Sequence, residues 1–346
     1  MRVDEFDYEL PEELIAQEPL EPRDGSRLMV LDRRRGRWEH ARFRDLAEIL
    51  QPGDCLVLND TRVRPARLIG RRDSGGRVEL LLLRPLGEDR WEVLGRPARK
   101  LRAGSLLLFG AAEAGQGERL EAEVLENRGE GVLRVRFRYR GEWERLLERL
   151  GQVPLPPYIR RPLEDPERYQ TVYAREPGSA AAPTAGLHFT PELLERLRER
   201  GVEQVKITLH VGIDTFRPVL EEEVERHRMH AEFFTVSEEA AEAINRARAA
   251  GGRRVAVGTT VVRTLESVAD PQGRVRPARG WTDLFIYPGY RYRAVDALLT
   301  NFHLPRSTLL MLVSAFAGRD LILAAYREAV GRRYRFFSFG DAMLIL

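Results

Sequence analysis

Between residues 63 and 140 apolar positions come in short runs, broken by glycine-rich and charged turns such as Asp73-Ser74-Gly75-Gly76. Six runs read as strands: residues 66–71, 77–83, 91–94, 105–109, 120–126 and 132–139. The last, from Val132 to Tyr139, alternates apolar and polar residues over much of its length. Closely spaced short strands of this kind predict a small antiparallel β-barrel. On either side the rhythm changes. Before the barrel, Pro11 opens a short helix, residues 27–32 read as a strand, 43–50 have helical spacing, and 55–58 form an apolar strand after Pro52-Gly53. After it, a helix over 142–150 and an extended Pro154–Tyr158 segment return the chain to a stretch where helices and strands alternate. Helices are expected over 191–200, 237–250 and 261–268, with strands over 204–210 and 254–257. Ser237 suits the N-cap of its helix. Alternation argues for a sheet with helices on its faces. The expected fold class is therefore a layered α/β main domain, residues 1–62 and 151–346, interrupted by an inserted antiparallel β-barrel at 63–150.

Composition narrows the function. Hydrophobic residues make up 43% of the 346 positions, enough for two cores, but the longest apolar run, 309–317, is about half the length of a membrane span. The acidic start, Met1-Arg2-Val3-Asp4-Glu5, lacks a signal peptide's apolar stretch, so a cytoplasmic protein is expected. One cysteine, Cys55, excludes an internal disulfide and a multi-thiolate zinc site, and its apolar surroundings suggest an inert core thiol. Net charge is only +3, yet residues 1–60 carry −6 and residues 61–150 carry +6. A basic barrel suits a phosphate backbone; a salt-bridged surface fits the same charges.

Four polar runs make poor core. Gly258-Thr259-Thr260 lies between a strand and a helix, where backbone N–H groups suit an anion, and Arg263 and Glu266 follow within two turns. An ordinary capped turn would explain the threonines as well. Residues 178–190 hold three alanines, then Pro183-Thr184-Ala185-Gly186-Leu187-His188, and read as a pocket-lining loop. Asn301 and His303 interrupt an apolar stretch and would be costly to bury unbonded. Asn59-Asp60-Thr61-Arg62 follows a strand, where polar residues line the crevice of α/β sheets. His227, His230 and Glu232 are close in sequence but lack a metal-protease signature, and no metal is expected. Dinucleotide and P-loop fingerprints are absent.

Taken together these runs resemble one family, the S-adenosylmethionine:tRNA ribosyltransferase-isomerases of queuosine biosynthesis. The resemblance rests on Phe6-Asp7-Tyr8-Glu9-Leu10-Pro11, Leu58-Asn59-Asp60-Thr61-Arg62-Val63 and Ala182 to Thr190. It continues through Met229-His230-Ala231-Glu232, Gly258 to Glu266, Thr300-Asn301-Phe302-His303-Leu304-Pro305 and Tyr334 to Met343. One departure stands out. Asp214 occupies a position where the family pattern L-H-V-G-x-G-T-F has glycine, which bears on the loop that begins at His210.

The resemblance implies transfer and isomerisation of the ribosyl part of S-adenosylmethionine onto 7-aminomethyl-7-deazaguanine in a tRNA anticodon. Epoxyqueuosine forms, and adenine and methionine leave. S-adenosylmethionine is then a consumed co-substrate, with no permanently bound cofactor, and the enzyme is expected to act as a monomer. A base must take the proton made acidic by the sulfonium, and an acid must assist adenine departure. His188 or His303 is the expected base, with Asp60 or Glu266 as orienting or acid groups. Thr259, Thr260 and Arg263 are expected to hold the methionine carboxylate, with Thr184 and Asn301 also on S-adenosylmethionine. Asn59, Arg62, His210, His230 and Glu232 are expected on the tRNA side. Two rivals stand beside this reading: an S-adenosylmethionine-dependent RNA methyltransferase, which would yield S-adenosylhomocysteine, and a non-catalytic RNA-binding module.

Overall fold

Each change of rhythm along the chain marks a change of element in the computed structural model, which describes residues 1–110, 119–212, 219 and 221–346. Two units result, residues 1–62 with 156–346 and residues 63–155. The second unit runs on to Leu155, because the strand after the barrel's helix pairs within the barrel.

Before the barrel the chain forms β1 (Arg27–Asp32), β2 (Arg37–Arg42), α1 (Leu46–Ile49), β3 (Cys55–Asn59) and β4 (Thr61–Val63). The helix expected near Pro11 is a single 3₁₀ turn, Glu12–Leu14. The second unit contains β5 (Arg67–Arg72), β6 (Arg77–Gly87), β7 (Arg90–Arg96), β8 (Leu106–Phe109), β9 (Leu120–Asn127), β10 (Val132–Arg138), α2 (Trp143–Leu150) and β11 (Gly151–Gln152). All six expected barrel strands are present. They join in the order β5-β6-β7-β10-β9-β8, and β8 hydrogen-bonds back to β5. Closure removes the free edges of the six-stranded sheet. It depends on Gly70 at the seam, where a Cβ would fall 2.2 Å from the Leu108 carbonyl oxygen. Leu68, Val93, Leu107, Val124 and Val135 fill the interior. Outside, Arg84 and Arg128 pair with Glu92, Arg134 with Glu126, and Arg138 with Glu123. Part of the basic charge read from sequence is thus neutralised locally.

The main unit resumes with β12 (Glu176–Ser179), α3 (Pro191–Glu199), β13 (Glu203–Leu209), β14 (Glu232–Val236), α4 (Glu238–Ala249), β15 (Arg254–Val257) and α5 (Thr259–Val268). It ends with β16 (Ala278–Thr282), β17 (Ala297–Asn301), α6 (Thr308–Ala317), α7 (Arg319–Gly331) and β18 (Ala342–Ile345). Nine strands form one sheet in the order β16-β14-β13-β3-β15-β17-β18-β1-β2. Its centre, β13-β3-β15-β17, is parallel. Every residue of β3, β15 and β17 is buried, as expected of strands covered on both faces. One apolar layer joins Val57, Ile207, Phe234, Ala256, Leu298 and Met343 to α4, α5 and α6. The other packs Leu58, Val257, Leu299 and Leu344 against α1 and α3. The apolar run at 309–317 is α6, most of it core. No single helix among the described residues is long and apolar enough to cross a membrane.

Candidate functional site

Parallel strands deliver their C-terminal ends to one edge of the sheet, the place where α/β folds bind ligands. Four segments leave that edge together: Asn59-Asp60 after β3, Val211 after β13, Gly258-Thr259-Thr260 after β15, and Asn301 to Leu304 after β17. A cavity of about 90 Å³ opens there. Its wall comprises Tyr158, Ala182 to Ala185, Val211, Gly258 to Thr260, Thr300 to Leu304, Ser307, Leu309, Phe337 and Ser338. Among the described lining residues no side chain is a carboxylate, lysine or arginine. Positive potential comes instead from two helix starts. Helix α5 begins at Thr259 with no side-chain cap, because Gly258 at φ +89° turns the chain directly into it. This start is two residues earlier than the sequence suggests, and it leaves first-turn N–H groups at the cavity. Helix α6 begins beside Ser307, whose hydroxyl caps it by accepting from the Leu310 amide.

Asn301 organises the wall. The Thr184 hydroxyl donates to its Oδ1 at 2.9 Å, and its Nδ2 donates to the Phe337 carbonyl at 3.2 Å. A carbonyl only accepts, so the amide orientation is fixed. The same Nδ2 lies 3.3 Å from His188 Nε2, which must then accept. His188 therefore carries its proton on Nδ1 and donates to Ser26 Oγ at 2.8 Å. Its ring stacks on Phe43, with centroids 4.9 Å apart. Burial, aided by the cationic Arg335 and Arg23, lowers its pKa to about 3. His188 does not line the main cavity. It borders a second, smaller hollow with Arg23, Ser26, Arg335 and Ser338. The two imidazoles thus face different hollows, joined through Asn301 and the shared Ser338.

His303 is in the cavity itself. Its Nε2 bonds Thr300 Oγ1 at 2.8 Å, while Nδ1 has no hydrogen-bond partner among the described residues. The backbone is pinned on both sides: Tyr326 OH accepts from the His303 amide at 3.0 Å, and Tyr8 OH donates to its carbonyl at 2.5 Å. Burial alone lowers the ring's pKa to about 3. Burial pushes the Tyr158 hydroxyl in the opposite direction, far above its ordinary range. Among the described lining residues His303 is the only imidazole, and burial keeps it neutral at pH 7.

Other expected site residues lie behind or away from this wall. Asn59 uses its whole amide, donating to Leu209 O and Thr260 Oγ1 and accepting from the amides of Thr61 and Leu209; it braces the start of α5. Asp60 accepts from Thr208 Oγ1 at 2.7 Å and pairs with Arg175 at 3.2 Å, and burial raises its pKa. Glu266 accepts from the amides of Arg293 and Ala294 and from Tyr290 OH, so its carboxylate is spent on folding the 290–294 loop. Arg263 is buried in an ion pair with Glu232 and donates to the carbonyls of Leu284 and Thr282. Glu232 also accepts from the Gly212 amide. Neither Arg263 nor Glu266 is among the residues lining the cavity, and both are engaged by protein partners. Arg62 pairs with Glu167. His210 bonds Thr61 Oγ1 at 2.8 Å and His230 is exposed; neither lines the cavity. Asp214 falls outside the described residues. Burial pushes the Cys55 thiol up to about 12, consistent with an inert core position.

Sequence reasoning missed Tyr158, Ser307, Phe337 and Ser338 as wall residues. Tyr158 OH and Ser338 Oγ bond each other at 2.7 Å. Their signal was present as polar residues inside otherwise apolar runs, but nothing in one sequence says which of them converge. Among the described residues no group of three or more His, Cys, Asp or Glu is placed to hold a metal ion.

Comparison with known proteins matches this arrangement to one family. A family model described as "Queuosine biosynthesis protein" covers residues 3–345. Relatives named S-adenosylmethionine:tRNA ribosyltransferase-isomerase match over the whole of both chains, at 64% identity in Symbiobacterium thermophilum and 60% in Moorella thermoacetica. The crystal structure of S-adenosylmethionine tRNA ribosyltransferase from Thermotoga maritima is 46% identical, covers 99% of this chain and 100% of its own, and superposes with a TM-score of 0.56. From its sequence, its layered sheet with a closed barrel and its full-length relatives, the chain belongs to the queuosine biosynthesis protein family.

Proposed function

We infer that this chain moves the ribosyl group of S-adenosylmethionine onto 7-aminomethyl-7-deazaguanine in tRNA, rearranging it to the epoxycyclopentanediol of epoxyqueuosine and releasing adenine and methionine. One observation supports the chemistry most: a wall whose described residues carry no charged side chain, flanked by two helix starts, with the neutral His303 as their only imidazole. S-adenosylmethionine carries both a carboxylate and a sulfonium. The uncapped start of α5, with Thr259 and Thr260, suits the carboxylate. A wall free of ionised side chains neither neutralises the sulfonium nor competes for it, so its acidifying effect on the adjacent ribose carbon is retained. His303 Nδ1 then takes that proton. Thr184 and Asn301 hold the ribosyl hydroxyls, and His188 fixes Asn301 without itself exchanging a proton. The space of about 90 Å³ accommodates one moiety of the donor, since pockets enclosing a whole small molecule run to roughly 300–1,000 Å³. The rest of the donor and the tRNA base enter through the mouth.

Among the described residues no acid for adenine departure lines the cavity; Asp60, with its raised pKa and its place after β3, is a candidate along the same sheet edge. The barrel's basic positions around Arg96, Arg99, Lys100 and Arg102, which pair with no acid among the described residues, suit tRNA phosphates. Binding should then weaken as salt rises. The enzyme acts in the cytoplasm, as a monomer, and without a resident cofactor. Incubating tRNA that carries the aminomethyl base with S-adenosylmethionine, followed by mass spectrometry, tests the reading. Epoxyqueuosine with free adenine and methionine supports it. S-adenosylhomocysteine and a methylated nucleoside would establish the methyltransferase instead.

A further inference from the structure

Helices cover both faces of the sheet centre, with α3 reaching β13 where Gln204 donates to the Leu194 carbonyl; among the described residues that apolar cover does not extend to β14 and β16. At the β13-β14-β16 end one face is core, formed by Val205, Ile207, Leu209, Phe234 and Val236. The apolar layer on the opposite face of the sheet has no member on β13, β14 or β16. Strand register places Phe233 directly opposite Trp281, and Thr235 opposite Arg279, on this uncovered face. Trp281 is 68% exposed. Its ring meets Phe233 edge-on at 5.4 Å, the Arg279 guanidinium lies 5.2 Å over Phe233, and the His210 ring stacks on Phe233 at 6.1 Å. Lys206 is exposed on the same face of β13.

A single exposed apolar residue needs no explanation. An ordered row of His210, Phe233 and Trp281 with Arg279 and Lys206 beside it does. Aromatic rings on an uncovered sheet face stack unpaired bases, and neighbouring cations meet the phosphates. The row also leads to the cavity. His210 is followed by Val211, which lines it, and Trp281 stands two strand spacings from β13, about 10 Å.

We propose that the face of β14 and β16 bearing Phe233 and Trp281 is a stacking platform for an unpaired tRNA base adjacent to the modified one, with Trp281 as its principal contact. The proposal rests on the ribosyl-transfer reading for the identity of the RNA. Drawing the target base out of its stack deprives the neighbouring base of a partner, and the indole supplies a replacement.

The test uses the full chain and the tRNA anticodon stem-loop bearing the aminomethyl base, with binding followed by fluorescence anisotropy and turnover by adenine release. Trp281→Ala should weaken binding and raise the KM for RNA by roughly tenfold or more. Its kcat at saturating RNA should stay within twofold of the parent, and Trp281→Phe should recover most of the loss. Two results would overturn the platform. One is unchanged RNA affinity in Trp281→Ala. The other is a parent dimer in sedimentation that Trp281→Ala dissociates, which would make the face a protein contact. Adenine release by the parent separates the two ideas: if it is absent the ribosyl-transfer reading fails, while the affinity comparison still decides the platform.

Discussion

Two neutral, buried histidines should make this protein labile to mild acid well before its carboxylates titrate. His188 and His303 both have a folded-state pKa near 3, against an ordinary value of 6.5. Because folding lowers the pKa, the unfolded chain binds the extra protons as pH falls through 6.5. Stability is therefore full above about pH 7 and declines from there toward pH 3. At pH 5 each unfolded imidazole is almost wholly protonated and each folded one almost wholly neutral. The difference is 1.5 pH units per residue, or about 2 kcal/mol each and about 4 kcal/mol for the pair. That is a large share of a typical net stability of roughly 5–15 kcal/mol. Urea unfolding of the wild type at pH 8, 7, 6 and 5 should show the midpoint falling steeply below pH 6.5. His188→Gln and His303→Gln, whatever their cost at pH 8, should each remove about half of the pH 8-to-5 difference. A midpoint that stays level from pH 8 to 5, or a slope unchanged in both variants, would refute the neutral assignment and with it the tautomer deduced from the Phe337 carbonyl.

Three further outcomes follow from the same geometry. Glu232→Gln leaves the Arg263 charge buried without its carboxylate, and should cost about 3–5 kcal/mol in thermal or chemical unfolding. Its KM for S-adenosylmethionine should stay within twofold, whereas a tenfold rise without loss of stability would restore Arg263 as a substrate clamp. Asn301→Ala breaks the links to Thr184, Phe337 and His188 together; single-turnover adenine release should fall at least a hundredfold while His303→Asn abolishes it, and a normal rate in either would sink the role given to it. Cys55 should resist thiol reagents in the folded protein and react at once in urea, since burial holds it up to about 12; rapid labelling without denaturant would contradict its core position.

How much of this was legible beforehand differs by element. Barrel strands were readable because each alternates or ends at a glycine turn, and period and punctuation are local properties. Strands β14, β16, β17 and β18 were not identified. They are short, and their apolar residues answer to neighbours distant in sequence, as in the antiparallel pairing of Thr300 with Met343. Polar runs at 184–188, 258–260 and 300–303 were recognisable as misfits in a core, and parts of all three line the cavity. Their roles were not recognisable. Arg263 and Glu266 sit on the same helix as Thr259 and Thr260, yet point to Glu232 and to the 290–294 loop.

The order of its amino acids alone determined that this chain builds a barrel inside a layered α/β domain, and which family it resembles, because hydrophobic period, turn residues and long motifs are written along the chain. Only the tertiary structure decided that His303 faces the cavity while His188 stands behind Asn301, and that Glu232 answers Arg263. Burial, hydrogen-bond direction and charge pairing are relations between residues a hundred or more positions apart in the first case and 31 in the second. They come into being when the parallel strands bring their ends to one edge.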